Sequence, residues 1–513
     1  MNTLLVTIVA IVLVASACQG QDYVEEPYPN YESPIRTSAE DEIKSLPGLD
    51  AAINFRQYSG YLKADKGGKK FIHYWFVESQ NDPAKDPVLL WLNGGPGCSS
   101  MEGLFEELGP FKVNEDGKTL KLRETSWNKV ANVLFLESPT GVGFSYDTKM
   151  INVHTDDSTA EENHLALRSF FDKFPQYKDN GLYLSGESYA GVYLPTLGVL
   201  VDADPSLNLK GIAIGNGYLD VAKLSDSLVF FAYYHGLVGK TSWDKISKYC
   251  CDGQPPSPQS CVLSGKNSTF KCGYAVSEVV SVFNDGINPY NLYGDCPLTS
   301  GGQTKLVQSE GHESRPHLSR ETVDRALFRL AMNSETHKDD KPLHVFKAIN
   351  DERGNQLGLS PPCTDEHNLA NYLNTESVRN AIHIPKRVGS WDICSMLIYI
   401  MKYPKLPGGL APQMQKLIDS KRNLTMLVYN GDVDTVCNFL GDEWFVDDLG
   451  RKVIRDYSTW KVGKQVAGYL KHYEGITFAT VRGSGHMVPQ DRPREAFEMI
   501  RIFLNTTGHI IDL

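Results

Sequence analysis

Short apolar runs recur along this chain, and longer polar or amphipathic stretches separate them. Bounded runs of this kind predict buried β-strands. The predicted strands are 71–76, 87–92, 133–136, 182–184, 211–214, 425–428 and 476–481. Residues 156–174 and 495–504 have a helical pattern instead, the first with Asp157 or Ser158 as its N-cap. Strands separated by helices predict an α/β fold with a mixed, mostly parallel sheet.

This alternation stops between residues 221 and 362, where the chain is rich in Cys, Pro and Gly. A long irregular insertion in a compact α/β fold is typically a lid or a disordered excursion. The predicted organisation is a signal peptide (1–20), an acidic leader (21–45), the first part of the core (46–220), a cap or lid insertion (221–362) with an exposed excursion at about 300–340, and the second part of the core (363–513).

The N-terminus predicts export. Residues 4–17 form an apolar run of signal-peptide length that is too short to span a bilayer comfortably. Cleavage after Ala17 or after Gly20 fits the small residues there, and a short membrane anchor is the alternative because no Lys or Arg precedes the run. No later segment is apolar enough to span a membrane, and a net charge of −11 argues against nucleic acid as a partner.

The sequence GESYAG, residues 186–191, is the strongest local signal for catalysis. It follows one predicted strand and precedes an apolar helical segment. A sharp turn in this context exposes the hydroxyl of Ser188 and places the next backbone N–H at a helix N-terminus. Because Ala190 occupies the last position of the G-x-S-x-G pattern, the motif alone also fits a glycine-rich turn with an incidental serine.

A base and an acid follow later in the chain. His486 lies after strand 476–481, and Asp432 and Asp434 lie after strand 425–428. Taken singly, the histidine fits a structural role and the two acids fit a turn of calcium-binding appearance. The order serine, acid, histidine is that of α/β-hydrolases, so together they predict a catalytic triad.

Several further segments resemble the serine carboxypeptidase family. They are WLNGGPGCSS (91–100), ESPTGVGFSY (137–146), Asn216-Gly217, YNGDVDTVC (429–437) and GHMVP (485–489), and the similarity spans roughly residue 45 to the C-terminus. The adjacent Cys250 and Cys251, with NLY at 291–293 before Cys296, resemble its cathepsin A branch. This resemblance implies an α/β-hydrolase fold with an inserted cap domain, and removal of C-terminal residues from peptides.

The resemblance also implies roles for individual residues. Ser188 would be the nucleophile, His486 the base and Asp434 the residue that orients it. The implied oxyanion hole is formed by the N–H groups of Gly95 and Tyr189, and the implied ligands of the substrate carboxylate are Asn93, the N–H of Gly94, Glu107 and Glu187. Glu106 is adjacent to Glu107, so either acid fits that position. Two carboxyls beside an anion must share protons, which predicts activity at acidic pH. No metal and no cofactor are implied.

Export implies an oxidising compartment, so the cysteines are interpreted as disulfides. Of ten cysteines, Cys18 lies in the signal segment, and the remaining nine leave at least one outside any pair. The pairs that the resemblance implies are Cys98–Cys394, Cys296–Cys363, Cys250–Cys272 and Cys251–Cys261. Cys437 then remains, and we interpret it as a small buried apolar residue rather than a catalytic one.

Three sequons, at Asn267, Asn423 and Asn505, predict glycosylated surface positions. The resemblance implies peptide substrates with a free C-terminus and a lysosomal or secreted location. It also implies that the protein is cut within the excursion to give two chains. It allows for a homodimer and a glycosidase complex, and it implies neither nucleic acid nor membrane as a partner. The alternative functions are an acyltransferase on the same fold, against which Asn93, Glu107 and Glu187 argue, and a glycosidase-stabilising role with catalysis secondary.

Overall fold

One large mixed β-sheet forms the centre of the fold. The computed structural model describes residues 34–148, 154–265, 268–284, 286–296, 363, 367–395, 398, 403, 406 and 408–506. The strands are β1 (Gln57–Lys63), β2 (Lys70–Val77), β3 (Val88–Leu92), β4 (Phe111–Val113), β5 (Leu120–Leu122), β6 (Asn132–Leu136), β7 (Tyr146–Asp147), β8 (Leu182–Ser188), β9 (Leu209–Gly217), β10 (Thr425–Gly431), β11 (Val453–Val462), β12 (Gln465–Tyr473) and β13 (Ile476–Val481).

The strand order across this sheet is β1-β2-β6-β3-β8-β9-β10-β13-β12-β11, with β7 paired to β2. The middle of the sheet, from β6 to β13, is parallel, and β1, β2, β11 and β12 join in antiparallel pairs. β4 and β5 form a separate two-stranded sheet. Parallel neighbours place their carboxyl ends at one edge, and this edge carries the candidate site.

The α-helices flank the sheet. They are α1 (Asp156–Lys173), α2 (Ala190–Asp202), α3 (Val221–Tyr234), α4 (Lys240–Cys250), α5 (Phe270–Val280), α6 (His367–Asn374), α7 (Glu376–Ala381), α8 (Ala411–Ile418), α9 (Phe439–Asp447), α10 (Val488–Asp491) and α11 (Pro493–Asn505). A π-helix spans Gly103–Glu107, and 3₁₀-helices span Trp127–Lys129, Pro175–Tyr177 and Ser281–Asn284. Among the residues described, no helix has the length and apolar character needed to cross a bilayer.

Hydrophobic cores cover both faces of the sheet. Along β3, Leu90 belongs to the core that includes buried residues of α1, α2 and α8, whereas Leu89 and Trp91 belong to the core that includes residues of α6 and α11. Strands buried on both faces have continuous apolar sequences instead of an alternating pattern. This explains why short apolar runs marked the central strands in the sequence.

The predicted central strands and the two predicted helices lie within β2, β3, β6, β8, β9, β10, β13, α1 and α11. The predicted N-cap of α1 is wrong. Thr155 is the cap, because its side chain accepts a hydrogen bond from the Ser158 N–H, and the Ser158 side chain accepts one from the Thr155 N–H. The capping box therefore begins two or three residues earlier than Asp157 or Ser158 would place it.

The insertion is more regular than its sequence indicated. It contains α3, α4 and α5, whose apolar residues form a third hydrophobic cluster that also contacts Phe439 and Trp444 of α9. The predicted excursion at about 300–340 and the predicted signal peptide lie outside the described residues. The division of the chain into core and cap stays a prediction.

Among the described residues there are four disulfides, and they are Cys98–Cys394, Cys250–Cys272, Cys251–Cys261 and Cys296–Cys363. These are the pairs that the family resemblance implied. Cys437 is a buried thiol outside these bonds. The sequon residues Asn423 and Asn505 are exposed, and Asn267 lies outside the described residues.

Candidate active site

The turn between β8 and α2 carries Ser188 in a left-handed conformation. Its φ is 62°, a value that L-residues other than glycine, Asn and Asp seldom adopt, and strain of this kind is concentrated at functional sites. Gly186 is required here because a Cβ on it would lie 2.2 Å from the carbonyl oxygen of Leu92 on the neighbouring strand. The predicted strand–turn–helix therefore presents the serine at the carboxyl end of β8.

His486 and Asp434 form a buried pair at the same edge of the sheet. The Nδ1 of His486 lies 2.7 Å from Oδ2 of Asp434. Asp434 also accepts hydrogen bonds from the Asn216 side chain at 2.8 Å and from the N–H groups of Val436 and Cys437 at 2.8 and 3.1 Å. These donors fix the carboxylate, which holds the proton of His486 on Nδ1 and leaves Nε2 as the acceptor.

Asp432, the other acid of the turn, lies elsewhere. Its Oδ1 accepts a hydrogen bond at 2.6 Å from the N–H of Gly483, in the loop that leads to His486. Burial raises the pKa of Asp432, while the hydrogen bond from Gly483 lowers it. Asp432 thus links the two loops, and Asp434 is the acid in contact with the imidazole.

Tyr290 holds His486 from the side of the insertion. Its carbonyl oxygen accepts a hydrogen bond from the backbone N–H of His486 at 2.7 Å. Its ring contacts the imidazole edge-to-face, with the ring centroids 5.0 Å apart. The neighbouring Leu292 donates its N–H to the Val433 carbonyl at 3.0 Å, next to Asp434. Sequence reasoning missed Tyr290, because the NLY motif beside it pointed only to a branch of the family.

The loop after β3 lies directly beside the serine turn. β3 and β8 are parallel neighbours, and a Cβ on Gly94 would lie 2.4 Å from the Tyr189 nitrogen and 2.7 Å from the Ser188 Cβ. Gly95 has φ 114°. The Cys98–Cys394 disulfide and a 2.6 Å hydrogen bond from the Ser99 N–H to the Ile393 carbonyl anchor the loop. Backbone N–H groups from two sides can therefore meet beside Ser188.

Gly94→Ala is expected to lower kcat/KM at least about 100-fold, the cost typical of a lost oxyanion donor. The added methyl group overlaps backbone atoms of the serine turn, so either the loop or the turn must shift. Steady-state kinetics and thermal unfolding of the purified variant provide the measurement. Gly239→Ala is the matched control, since a Cβ there meets nothing within 4 Å. A Gly94→Ala enzyme within threefold of the unchanged protein would show that the close approach is unimportant.

Three glutamates surround the side chain of Asn93. Its Oδ1 accepts hydrogen bonds from the indole of Trp91 at 2.7 Å and from the Gly103 N–H at 3.1 Å, so its amide nitrogen points the other way. That nitrogen lies 2.9 Å from Glu107, 3.3 Å from Glu187 and 3.4 Å from Glu102. Glu187 directly precedes Ser188, so this acidic cluster adjoins the serine turn.

The π-helix determines which glutamate enters the cluster. Glu107 is buried, whereas Glu106 faces Lys112 at 3.7 Å near the surface. In a π-helix the hydrogen bonds join residues five apart, so the wider turn brings Glu107 to the side of Glu102, where the four-residue spacing of an α-helix would have brought Glu106. Sequence reasoning missed Glu102 because it assumed no such turn.

The carboxyl groups of this cluster hold protons more strongly than exposed glutamates do. Burial raises the pKa of Glu107. Burial also raises the pKa of Glu187 well above its usual range, and the negative charges of Glu107 and Glu102 raise it further. The cluster therefore retains a proton at a pH where exposed glutamates have lost theirs.

Comparisons with known proteins agree with this geometry. The family model for serine carboxypeptidases matches residues 47–506. The lysosomal protective protein of Mus musculus is 45% identical over 477 residues, covering 91% of this chain and 94% of the mouse protein. A serine carboxypeptidase of Caenorhabditis elegans is 37% identical over 491 residues, covering 94% of this chain and 96% of the relative.

A solved structure shows the same fold. It is a prohormone-processing carboxypeptidase from Saccharomyces cerevisiae, with a TM-score of 0.65 and 23% identity, covering 92% of this chain and 97% of the yeast chain. The fold is that of an α/β-hydrolase. The chain belongs to the serine carboxypeptidase family, and it is a hydrolase of the exopeptidase class.

Proposed function

We propose that this enzyme removes single residues from the C-termini of peptides at acidic pH, and that Ser188, His486 and Asp434 are its catalytic triad. The observation that carries the proposal is the buried cluster of Asn93, Glu107 and Glu187 immediately beside the serine turn. A protonated carboxyl and an amide N–H can donate hydrogen bonds to a substrate carboxylate. The cluster therefore supports recognition of a free C-terminus next to the scissile bond.

In the proposed reaction, Ser188 Oγ attacks the scissile carbonyl while His486 Nε2 takes its proton. Asp434 stabilises the imidazolium through the 2.7 Å contact with Nδ1. The N–H groups of Gly95 and Tyr189 are proposed to stabilise the oxyanion, a contribution of about 3 kcal/mol for each donor. His486 then protonates the leaving amino acid, and water releases the acyl group.

Fluorophosphonate labelling tests the proposed nucleophile. Peptide mapping should find the label on Ser188. A peptide with a free carboxylate should slow the labelling at acidic pH, while the same peptide amidated at its C-terminus should protect much less, because it cannot use the Asn93 and glutamate cluster. Equal protection by both peptides would contradict the carboxylate site while leaving the nucleophile assignment intact.

The acyltransferase alternative uses the same acyl-enzyme and differs only in what attacks it. A reaction supplied with an alcohol acceptor and a peptide or ester donor distinguishes the two functions. We expect hydrolysis to dominate, since the carboxylate cluster is present. Ester products in excess of hydrolysis would favour the transferase.

Mild trypsin is expected to cut first within residues 300–340, where the chain is polar and contains Arg315, Arg320, Arg325 and Arg329. The two fragments should stay together without reductant, because Cys98–Cys394 and Cys296–Cys363 link sequence on either side of the cut. Electrophoresis with and without reductant makes the measurement. Fragments that separate without reductant would contradict these pairings.

Location and partners follow from the relatives' names only as proposals. The mouse relative is named as a lysosomal protein, which supports passage of this chain through the secretory pathway to a lysosome or to the outside of the cell. A homodimer and a glycosidase complex are proposed from the resemblance to the cathepsin A branch. Light scattering tests the first, and co-purification with a glycosidase activity tests the second.

A further inference from the structure

Asp442 is a fully buried carboxyl group behind the triad that the reaction described above does not use. It lies in the first turn of α9, and its Oδ2 accepts hydrogen bonds from the Gly217 N–H at 2.9 Å and the Asn430 side-chain nitrogen at 2.8 Å. Gly217 ends β9 and Asn430 lies at the end of β10. One carboxyl group therefore joins a helix to the ends of two strands.

Those strand ends position the catalytic acid. Asn216, next to Gly217, donates its side-chain N–H to Asp434 and accepts the Gly431 N–H at 3.1 Å. Asn430, next to Gly431, also donates to the carbonyl of Cys437 at 3.1 Å, at the end of the loop that carries Asp434. A displacement of the Asp442 side chain would therefore move the ends of both strands and, through them, Asp434.

Two oxygen atoms of the Asp442–Asn430 pair have no hydrogen-bond partner among the described residues, and they are Oδ1 of Asp442 and Oδ1 of Asn430. Both side chains are buried, so the lack of a partner is costly for each. A carboxylate oxygen and an amide oxygen are both acceptors and cannot satisfy each other. A proton on Asp442 Oδ1 would turn that oxygen into a donor, and Oδ1 of Asn430, whose Nδ2 already binds Asp442, is an acceptor without a partner among the described residues.

The surrounding charges favour that proton. The acids that act on Asp442 are Asp434 of the triad loop and Asp220 at the start of α3. Burial raises the pKa of Asp442 well above its usual range, and these two negative charges raise it further, while the hydrogen bonds from Asn430 and Gly217 oppose the shift. Asp434 is itself paired with His486, and a negative charge on Asp442 would repel the Asp434 carboxylate.

We propose that Asp442 is a positioning residue that works as a neutral carboxylic acid, pairing with Asn430 to fix the loop of Asp434 without placing a second negative charge beside the triad. This inference rests on the proposed triad. Its central feature is a proton held on Asp442 at the pH of catalysis and at neutral pH.

Asp442→Asn and Asp442→Ala test the proposal. The asparagine is the neutral equivalent and should keep kcat/KM for an ester substrate within about threefold of the unchanged enzyme. The alanine should lower it at least about tenfold, because the Gly217 N–H loses this acceptor and the Asn430 side chain loses one of its two acceptors. The acid limb of the pH profile should be the same in Asp442→Asn. A shift of that limb to lower pH by about half a unit or more would mean that a negative charge had been removed, which would overturn the proposal.

Infrared difference spectroscopy reads the proton directly and does not depend on activity or on the alanine variant folding. The spectrum of the unchanged protein minus that of Asp442→Asn at neutral pH should contain a protonated-carboxyl band. Asp448→Asn, at the exposed end of the same helix, is the control and should give a carboxylate band. A carboxylate band for Asp442 would refute its neutral state even if the triad is correct, and an inactive unchanged enzyme would refute the triad alone.

Discussion

Ser188→Ala is expected to fold normally and to lose at least about 10⁴-fold in kcat/KM for peptide substrates. The nucleophile is the one group of the triad that forms the covalent acyl intermediate, so no neighbouring side chain can replace it. Alanine tolerates the left-handed φ of 62° no better than serine does, and stability should change little. Single-turnover kinetics at acidic pH and thermal unfolding together separate lost chemistry from lost folding.

Ser206→Ala is the matched control for this substitution, since Ser206 is an exposed residue whose hydroxyl contacts only Asp204 in the hydrogen bonds described. It should leave activity and fluorophosphonate labelling unchanged. A folded Ser188→Ala protein that keeps peptidase activity within tenfold would refute the assignment of the nucleophile.

For peptides with a free C-terminus, kcat/KM should be highest at acidic pH and should fall as the pH rises. The raised pKa values of Glu107 and Glu187 keep the cluster protonated in acid, and loss of these protons places a negative charge against the substrate carboxylate. For the same peptides amidated at the C-terminus, this fall should be absent, and the optimum should lie at higher pH. Parallel pH profiles of the two substrates make the measurement.

In the double variant Glu107→Gln and Glu187→Gln, kcat/KM for free-acid peptides should fall much less as the pH rises. At neutral pH it should be about tenfold higher than in the unchanged enzyme. Glu106→Gln is the control, because Glu106 lies outside the cluster near Lys112 and should change neither profile. Identical pH profiles for free-acid and amidated peptides in the unchanged enzyme would show that the two glutamates do not bind the carboxylate.

The protons of the acidic cluster also affect the stability of the folded protein. The direction of the pKa shift determines whether stability rises or falls as the pH increases. A folded-state pKa above the unfolded value of 4.5 means that the unfolded chain ionises first as the pH rises. The contribution of Glu187 is therefore fully present below about pH 4.5 and is lost progressively as the pH rises toward its folded pKa. Glu187→Gln should raise the melting temperature at neutral pH more than at acidic pH.

The parallel strands, and the positions of Ser188, Asp434 and His486 at or after their carboxyl ends, could be predicted from sequence for one physical reason. Strands buried on both faces must be apolar throughout, and each of Ser188, Asp434 and His486 follows such a run. The short strands β4, β5 and β7 also escaped prediction, as did β1, β11 and β12. The last three lie toward the sides of the sheet, and most of β11 is exposed. Their patterns therefore contain polar residues that do not mark a strand.

The parts of the site that sequence could not supply depend on contacts across the fold. The choice of Glu107 over Glu106 and the presence of Glu102 follow from a π-helix, a local irregularity that no simple periodicity predicts. Tyr290 comes from the insertion, where the strand and helix pattern was lost, and its main contact with His486 uses a backbone carbonyl that any residue could supply. Neither feature has a signature in residue type.

Mass spectrometry tests the proposed carboxypeptidase function most directly. One peptide, as the free acid and as the C-terminal amide, is incubated at acidic pH with the unchanged enzyme and with Ser188→Ala. We expect stepwise loss of single C-terminal residues from the free acid, much slower attack on the amide, and no cleavage by Ser188→Ala. Internal cleavage of the free-acid peptide by the unchanged enzyme, or C-terminal trimming by Ser188→Ala, would contradict this function.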